Sequence, residues 1–118
     1  MPPEPTDMAR LWDMLDAAQA VVEFTKGLNF EQFLTDRRTL NAVERNLEVL
    51  GEAAKRVSAE VQDSHPEIAW RAVIGFRNVL AHDYGEVRYE IVWSVIQDKL
   101  PPLIRHLKMI GADKSPPA

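Results

Sequence analysis

Residues 76–87, FRNVLAHDYGEV, bring Arg77, Asn78, His82, Asp83 and Tyr84 together at the end of what otherwise reads as an apolar helix. At about 100° per residue, Asn78 and His82 lie one turn apart on one helical face. Arg77 sits about 100° to the side, with a stem long enough to swing its guanidinium toward them. Gly85 then supplies a stop. These residue types suit phosphodiester chemistry without a metal. A histidine titrating near neutrality takes the proton of a ribose 2′-hydroxyl or returns one to the leaving oxygen. A guanidinium fork holds the phosphate and stabilises the charge of the transition state, and an asparagine orients either group. The same residues also fit a plainer arrangement, in which His82 bonds the last carbonyls of its helix and Arg77 joins a surface ion pair. Spacing alone does not separate the two.

The elements that must carry this segment are helical. Met8, Leu11, Leu15, Ala18 and Val22 recur in steps of three and four after Thr6 and Asp7, either of which can cap a first turn, and Gly27 ends the helix. A short turn is expected around LNFEQFLTD. Asp36 then caps a long helix in which Leu40, Val43, Leu47, Leu50, Ala54, Val57 and Val61 hold the same rhythm. A third helix is expected from Pro66, with Ser64 or His65 as its cap and Ala69, Val73, Phe76 and Leu80 as its buried stripe. Trp93, Ile96, Leu100, Leu103, Leu107 and Ile110 continue the spacing across Pro101 and Pro102. Because the phase survives two missing backbone donors, a kink or tight restart is expected there rather than a long loop. Strand alternation is lacking. The fold class is therefore all-α, an up-and-down bundle of four to five helices. A single domain is expected over residues 7–111, between flexible proline-rich tails at 1–6 and 112–118.

Composition narrows the chemistry. The chain has no cysteine, which removes disulfides, thiolate metal sites and a cysteine nucleophile and fits a reducing cytoplasm. No stretch reads as a signal peptide or a membrane span. A net charge of −4 argues against a broad nucleic-acid footprint, so any such chemistry must be local. Glu44, Glu48 and Glu52 share one helical face and could hold a metal. Arg45, Lys55 and Arg56 continue that ridge, so a solvated charged face is the reading adopted. His65 and His106 are expected as a capping residue and a helix-surface residue, and the three histidines are too scattered to ligate a metal together. Trp12, Trp70 and Trp93 are expected as core or dimer anchors. No cofactor is expected, and without a glycine-rich phosphate loop the chain is not expected to use ATP as an enzyme.

Arg77-Asn78, His82 and Tyr84 together resemble the R-x4-H-x-Y motif of the HepT-like toxins, members of the HEPN superfamily of small all-helical ribonucleases. The similarity extends to AVERNLEVLGEAAKRV (42–57), with its Gly51-Glu52-Ala53 step, and to AWRAVIGFRNVLAHDYGEVRYEIVWSVIQDKLPPL, with Trp70, Trp93 and the Leu100-Pro101 step. It covers residues 7–110. The resemblance implies a HEPN-like bundle forming a two-fold homodimer, in which two copies of the motif helix line one cleft around RNA. It implies a metal-independent endoribonuclease, the toxin of a type VII toxin-antitoxin pair, with Arg77 and His82 as the catalytic pair and Asn78 and Glu52 in support. Tyr84 matches the tyrosine to which the cognate antitoxin, a minimal nucleotidyltransferase called MntA, attaches AMP, consuming ATP in the partner. Asp83 stands where the family often has glycine; its carboxylate either raises the pKa of His82 or repels substrate phosphate. The alternative is a noncatalytic helical partner of a nucleotidyltransferase.

Overall fold

A computed structural model of the chain describes residues 4–80 and 87–114. The first helix, α1 (Pro5–Thr25), begins at a proline whose missing N–H costs nothing in a first turn, two residues earlier than the expected domain start. It ends where the Thr25 hydroxyl donates back to the Val21 carbonyl at 2.9 Å and Gly27 takes a left-handed φ of 81°. The stretch expected as a turn holds a six-residue helix, α2 (Phe30–Thr35). A reciprocal cap makes it: Asn29 Oδ1 accepts the Gln32 N–H at 2.8 Å and Gln32 Oε1 accepts the Asn29 N–H at 2.9 Å. Asp36 closes α2 and opens α3 (Arg37–Arg56), where its carboxylate accepts the N–H and the hydroxyl of Thr39 at 3.2 and 2.9 Å.

The core is the α1–α3 pair, joined over the length of both helices. Leu11, Met14, Ala18 and Val21 of α1 and Val43, Leu47, Leu50 and Ala54 of α3 are all fully buried. The two run antiparallel, because Asp7 in the first turn of α1 reaches the far end of α3. Its carboxylate accepts the Ser58 N–H and the Ser58 hydroxyl, both at 2.8 Å. Asp7 was a candidate cap for its own helix. It serves the junction of two others instead, and with Thr25 it is one of two polar residues buried among the described residues.

At that junction the long helix expected to run through Val61 breaks. Val57 is extended at φ −68°, ψ 135°, and α4 (Ala59–Ser64) restarts behind a Ser58 cap. The Gln62 amide crosses the break, donating to the Ala54 and Val57 carbonyls at 3.3 and 3.0 Å. No helix starts at Pro66. His65 closes α4, and its carbonyl accepts the Trp70 indole N–H at 3.0 Å. The chain becomes helical again at α5 (Trp70–Ile74); Ile68 is buried and Ala69 is exposed, so Ala69 drops out of the expected stripe while Val73 remains in it. Gly75 separates α5 from α6 (Phe76–Leu80), in which Phe76 is buried and Leu80 packs partly against the core.

The last elements are α7 (Tyr89–Ser94), a π-helical segment at Val95–Lys99 and α8 (Leu100–Met109). Leu100 N–H bonds the Val95 carbonyl, five residues back, immediately before Pro101 and Pro102. This one wide turn is how the apolar phase crosses the prolines without a loop: Ile96, Leu100, Leu103 and Leu107 remain buried. Trp93 lies against Phe33 and Phe30, with ring centroids 5.0 and 6.0 Å apart. Helix α8 ends in a Schellman motif. Gly111 has φ 86°, its N–H bonds Lys108, and Ala112 N–H bonds Leu107. Ala112 is fully buried, so the packed domain runs one residue past the boundary expected at 111. The described residues form an all-α assembly with no strand, and no helix among them is long and apolar enough to cross a membrane.

Candidate active site

Arg77 sits on the first turn of α6, directly over α3. What brings it there is Gly51, halfway along α3. A Cβ at that position would lie 3.2 Å from the Ile74 carbonyl oxygen, 3.3 Å from Arg77 Cγ and 3.4 Å from the Val73 carbonyl oxygen. The missing side chain lets the backbone of α5 and the stem of Arg77 settle this close; an added Cβ would press them back by a few tenths of an ångström. The Arg77 side chain is 58% exposed. Its guanidinium Nη1 faces Glu52 Oε2 at 3.5 Å, while Glu52 Oε1 accepts from Arg56 Nε at 3.2 Å. One carboxylate thus holds two arginines at the end of α3. In so exposed a setting this ion pair directs the guanidinium more than it stabilises the fold.

Asn78 follows on the same turn, exposed, with its N–H bonded to the Gly75 carbonyl at 2.8 Å. Two clefts meet at Arg77. One, of about 370 Å³, runs between α1 and α3 past Arg10, Arg45, Glu48 and Arg56. The other, of about 500 Å³, lies between α3 and α5–α6, walled by Gly51, Lys55, Arg71 and Asn78. Arg77 and Glu48 border both. Beyond residues 81–86 the chain is fastened to α3 again, where the Tyr89 hydroxyl donates to Glu44 Oε1 at 3.1 Å. Burial, and then the adjacent Glu44 carboxylate, hold the Tyr89 phenol above its ordinary range.

Of the residues singled out from sequence, Arg77, Asn78 and Glu52 converge on this junction. His82, Asp83 and Tyr84 lie outside the described residues. Glu44, Glu48 and Glu52 are divided among Tyr89, Arg45 and the Arg56–Arg77 pair. Among the described residues no group of three carboxylates or histidines is placed to hold a metal. His65 pairs with Glu67 at 3.3 Å, and His106 lies away from Arg77 in a smaller cleft beside Phe76 and Leu103. Sequence reasoning missed Arg10, Asp13 and Arg71 as neighbours of the site. Nothing local marks them, since they reach it only through the packing of α1 and α5 on α3.

A family model described as "Ribonuclease HepT-like" matches residues 14–110. Among similar proteins, one from Methanocaldococcus jannaschii named as a putative RNase is 34% identical over 105 residues, covering 89% of this chain and 87% of its own length. One from Thermococcus cleftensis named as a probable ribonuclease HepT is 38% identical over 93 residues, covering 79% and 84% of the two chains. One from Caldanaerobacter subterraneus subsp. tengcongensis, also named as a putative RNase, is 34% identical over 97 residues, covering 82% and 87%. No solved structure matches the chain.

Proposed function

The chain belongs to the HepT-like ribonuclease family, and from that premise we propose that it is a metal-independent endoribonuclease, the cytoplasmic toxin of a type VII toxin-antitoxin pair. Arg77 holds the scissile phosphate and His82 moves the proton. The ribose 2′-oxygen attacks phosphorus as its proton passes to a base, the bond to the 5′-oxygen breaks, and that oxygen leaves with a proton from an acid. The negative charge accumulating on the phosphate oxygens is met by the guanidinium fork. Asn78, one residue from Arg77, orients the phosphate, and Glu52 keeps Arg77 extended until substrate competes for it. Asp83, the sequence neighbour of His82, adds a negative charge to the motif.

The observation that carries this reading is the seating of Arg77: its stem over Gly51, its guanidinium beside Glu52, and a cleft on either side. A homodimer pairing two such motifs would concentrate cationic groups in one groove on an otherwise acidic protein. An MntA-like nucleotidyltransferase antitoxin that transfers AMP from ATP to Tyr84 would add a negatively charged phosphate two residues from His82 in the sequence and repel RNA.

Cleavage of RNA by the purified chain in EDTA tests the assignment. Arg77→Ala is expected to lower kcat/KM by about 10²- to 10³-fold, and His82→Ala to abolish cleavage with the helical spectrum retained. Wild-type rates in His82→Ala would remove His82 from the mechanism. After incubation with the antitoxin and ATP, intact-mass measurement should show added AMP on the wild type and none on Tyr84→Phe.

A further inference from the structure

Apart from Arg77 and Glu52, the residues that line the cleft between α1 and α3 take no part in the mechanism above. Its basic groups, Arg10, Arg45, Arg56 and Arg77, are all arginines, which match phosphate with two parallel N–H donors where lysine offers a point charge. With Lys55 and Arg71 of the adjoining cleft, six of the chain's fourteen lysines and arginines gather around Arg77, against the three carboxylates Asp13, Glu48 and Glu52. A protein of net charge −4 has thus placed a cationic strip at this one junction. From Arg45 to Arg56 the strip follows three turns of α3, a rise of about 16 Å. Two of the carboxylates are already engaged with the arginines, Glu48 with Arg45 at 3.8 Å and Glu52 with Arg56 and Arg77 at 3.2 and 3.5 Å. Exposed pairs of this kind are weak and exchange readily for a phosphate. Among the described residues, no carboxylate lies within 4.0 Å of Arg10, Lys55 or Arg71.

We propose that the α1–α3 cleft is a second phosphate-binding subsite, in which Arg10 and Arg45 take the backbone of single-stranded RNA on one side of the scissile phosphate held by Arg77. The strand crosses Arg77 and leaves through the α3–α5 cleft past Lys55 and Arg71. A single strand fits because the recognition groups are side-chain cations set along two adjoining clefts rather than a surface shaped to a duplex groove. The contacts go to phosphates, so the subsite sets affinity and register without reading base sequence.

This inference rests on the ribonuclease reading, and binding separates the two. The probe is a short single-stranded RNA with 2′-O-methyl groups throughout, which cannot be cleaved, titrated by fluorescence anisotropy against the full-length protein over a range of salt. Arg10→Ala/Arg45→Ala is expected to weaken binding and to flatten the dependence of log K on log salt by about 0.7 for each arginine removed. Arg45→Ala alone, at a side chain 75% exposed, should give about half of that change without disturbing the fold. Arg10→Lys/Arg45→Lys should recover the salt slope but not the full affinity. Wild-type affinity and slope in the double alanine variant would overturn the subsite, even if that variant bound the antitoxin less well. Loss of RNA cleavage in Arg77→Ala is read in a separate assay. The ribonuclease reading therefore stands or falls independently of the subsite.

Discussion

Helix α3 and the α5–α6 pair touch at Gly51, yet they are built in opposite ways. Helix α3 runs 20 residues from a satisfied Asp36 cap to a basic last turn at Lys55 and Arg56, and four of its apolar residues are fully buried. Helices α5 and α6 have five residues each. The first lacks a side-chain cap, Gly75 parts the two, and Trp70, Val73 and Phe76 are all they bury. So short a helix is not stable by itself. Its position is borrowed from α3 through the close approach at Gly51. The long helix acts as the ruler and the short pair as the carrier, which lets Arg77 stand exposed while its Cα is fixed. Perturbing α3 should therefore cost stability, whereas perturbing the contact between the two should cost activity.

The hardest test of the ruler is Leu47→Ala, which empties a fully buried site on α3. A loss of about 2–5 kcal/mol is expected from urea unfolding, and a loss well under 1 kcal/mol would mean that α3 is not the frame of the fold. Next comes the tie that holds α1 to the far end of α3. Asp7→Ala removes both bonds to Ser58 and leaves its N–H without that partner, at an expected cost of about 1–3 kcal/mol in the same assay. Asp7→Asn, which keeps one acceptor, should fall between.

The carrier is probed by Gly51→Ala. The helical preference of alanine over glycine, worth about 1 kcal/mol, works against a contact that the backbone carbonyl of Ile74 cannot easily yield. Net stability is expected to move by less than about 1 kcal/mol. Cleavage is expected to fall by roughly tenfold, because a displaced Arg77 meets the phosphate less well. A variant that lost stability and kept its rate would reverse the assignment of roles between the two regions.

The same contrast decides what could be read from the sequence. Asp36 as a cap and the Val43, Leu47, Leu50 and Ala54 seam were legible because both are local: a cap acts across three residues and a seam repeats every three or four. The break at Val57 was not, because α4 restarts in phase and Val61 is buried where an unbroken helix would also have put it. Helix α2 was hidden by an Asn-x-x-Gln cap in a stretch too short to show a period. Pro66 looked like a helix start, but it falls in the turn between His65 and Trp70, which the His65 carbonyl organises by accepting the Trp70 indole. At the site, Arg77 and Asn78 stood out by residue type and by family resemblance, and Glu52 by its place after Gly51. Arg10 and Arg71 could not, because what makes them neighbours of Arg77 is the packing of three helices, which no spacing along the chain records.

The gentlest test returns to the cap of α3. The ionised Asp36 carboxylate is favoured first by the backbone N–H of Thr39 and then by the Thr39 hydroxyl, so its folded pKa lies below the ordinary 3.8. A carboxylate depressed in the folded state contributes its full stabilisation above the unfolded pKa and loses it as pH falls through the folded value. The Tm difference between wild type and Asp36→Ala should accordingly be constant from neutrality down to about pH 4 and shrink below that. Taking the difference cancels the other carboxylates, which titrate alike in both proteins. The side chain is exposed, so the shift in Tm should be the smallest of this set, with cleavage unchanged because the cap lies at the opposite end of α3 from Glu52 and Arg56. A gap that widened in acid would mean that the neutral carboxyl is the better partner for Thr39, and the ruler would then owe its start to something other than an ionised cap.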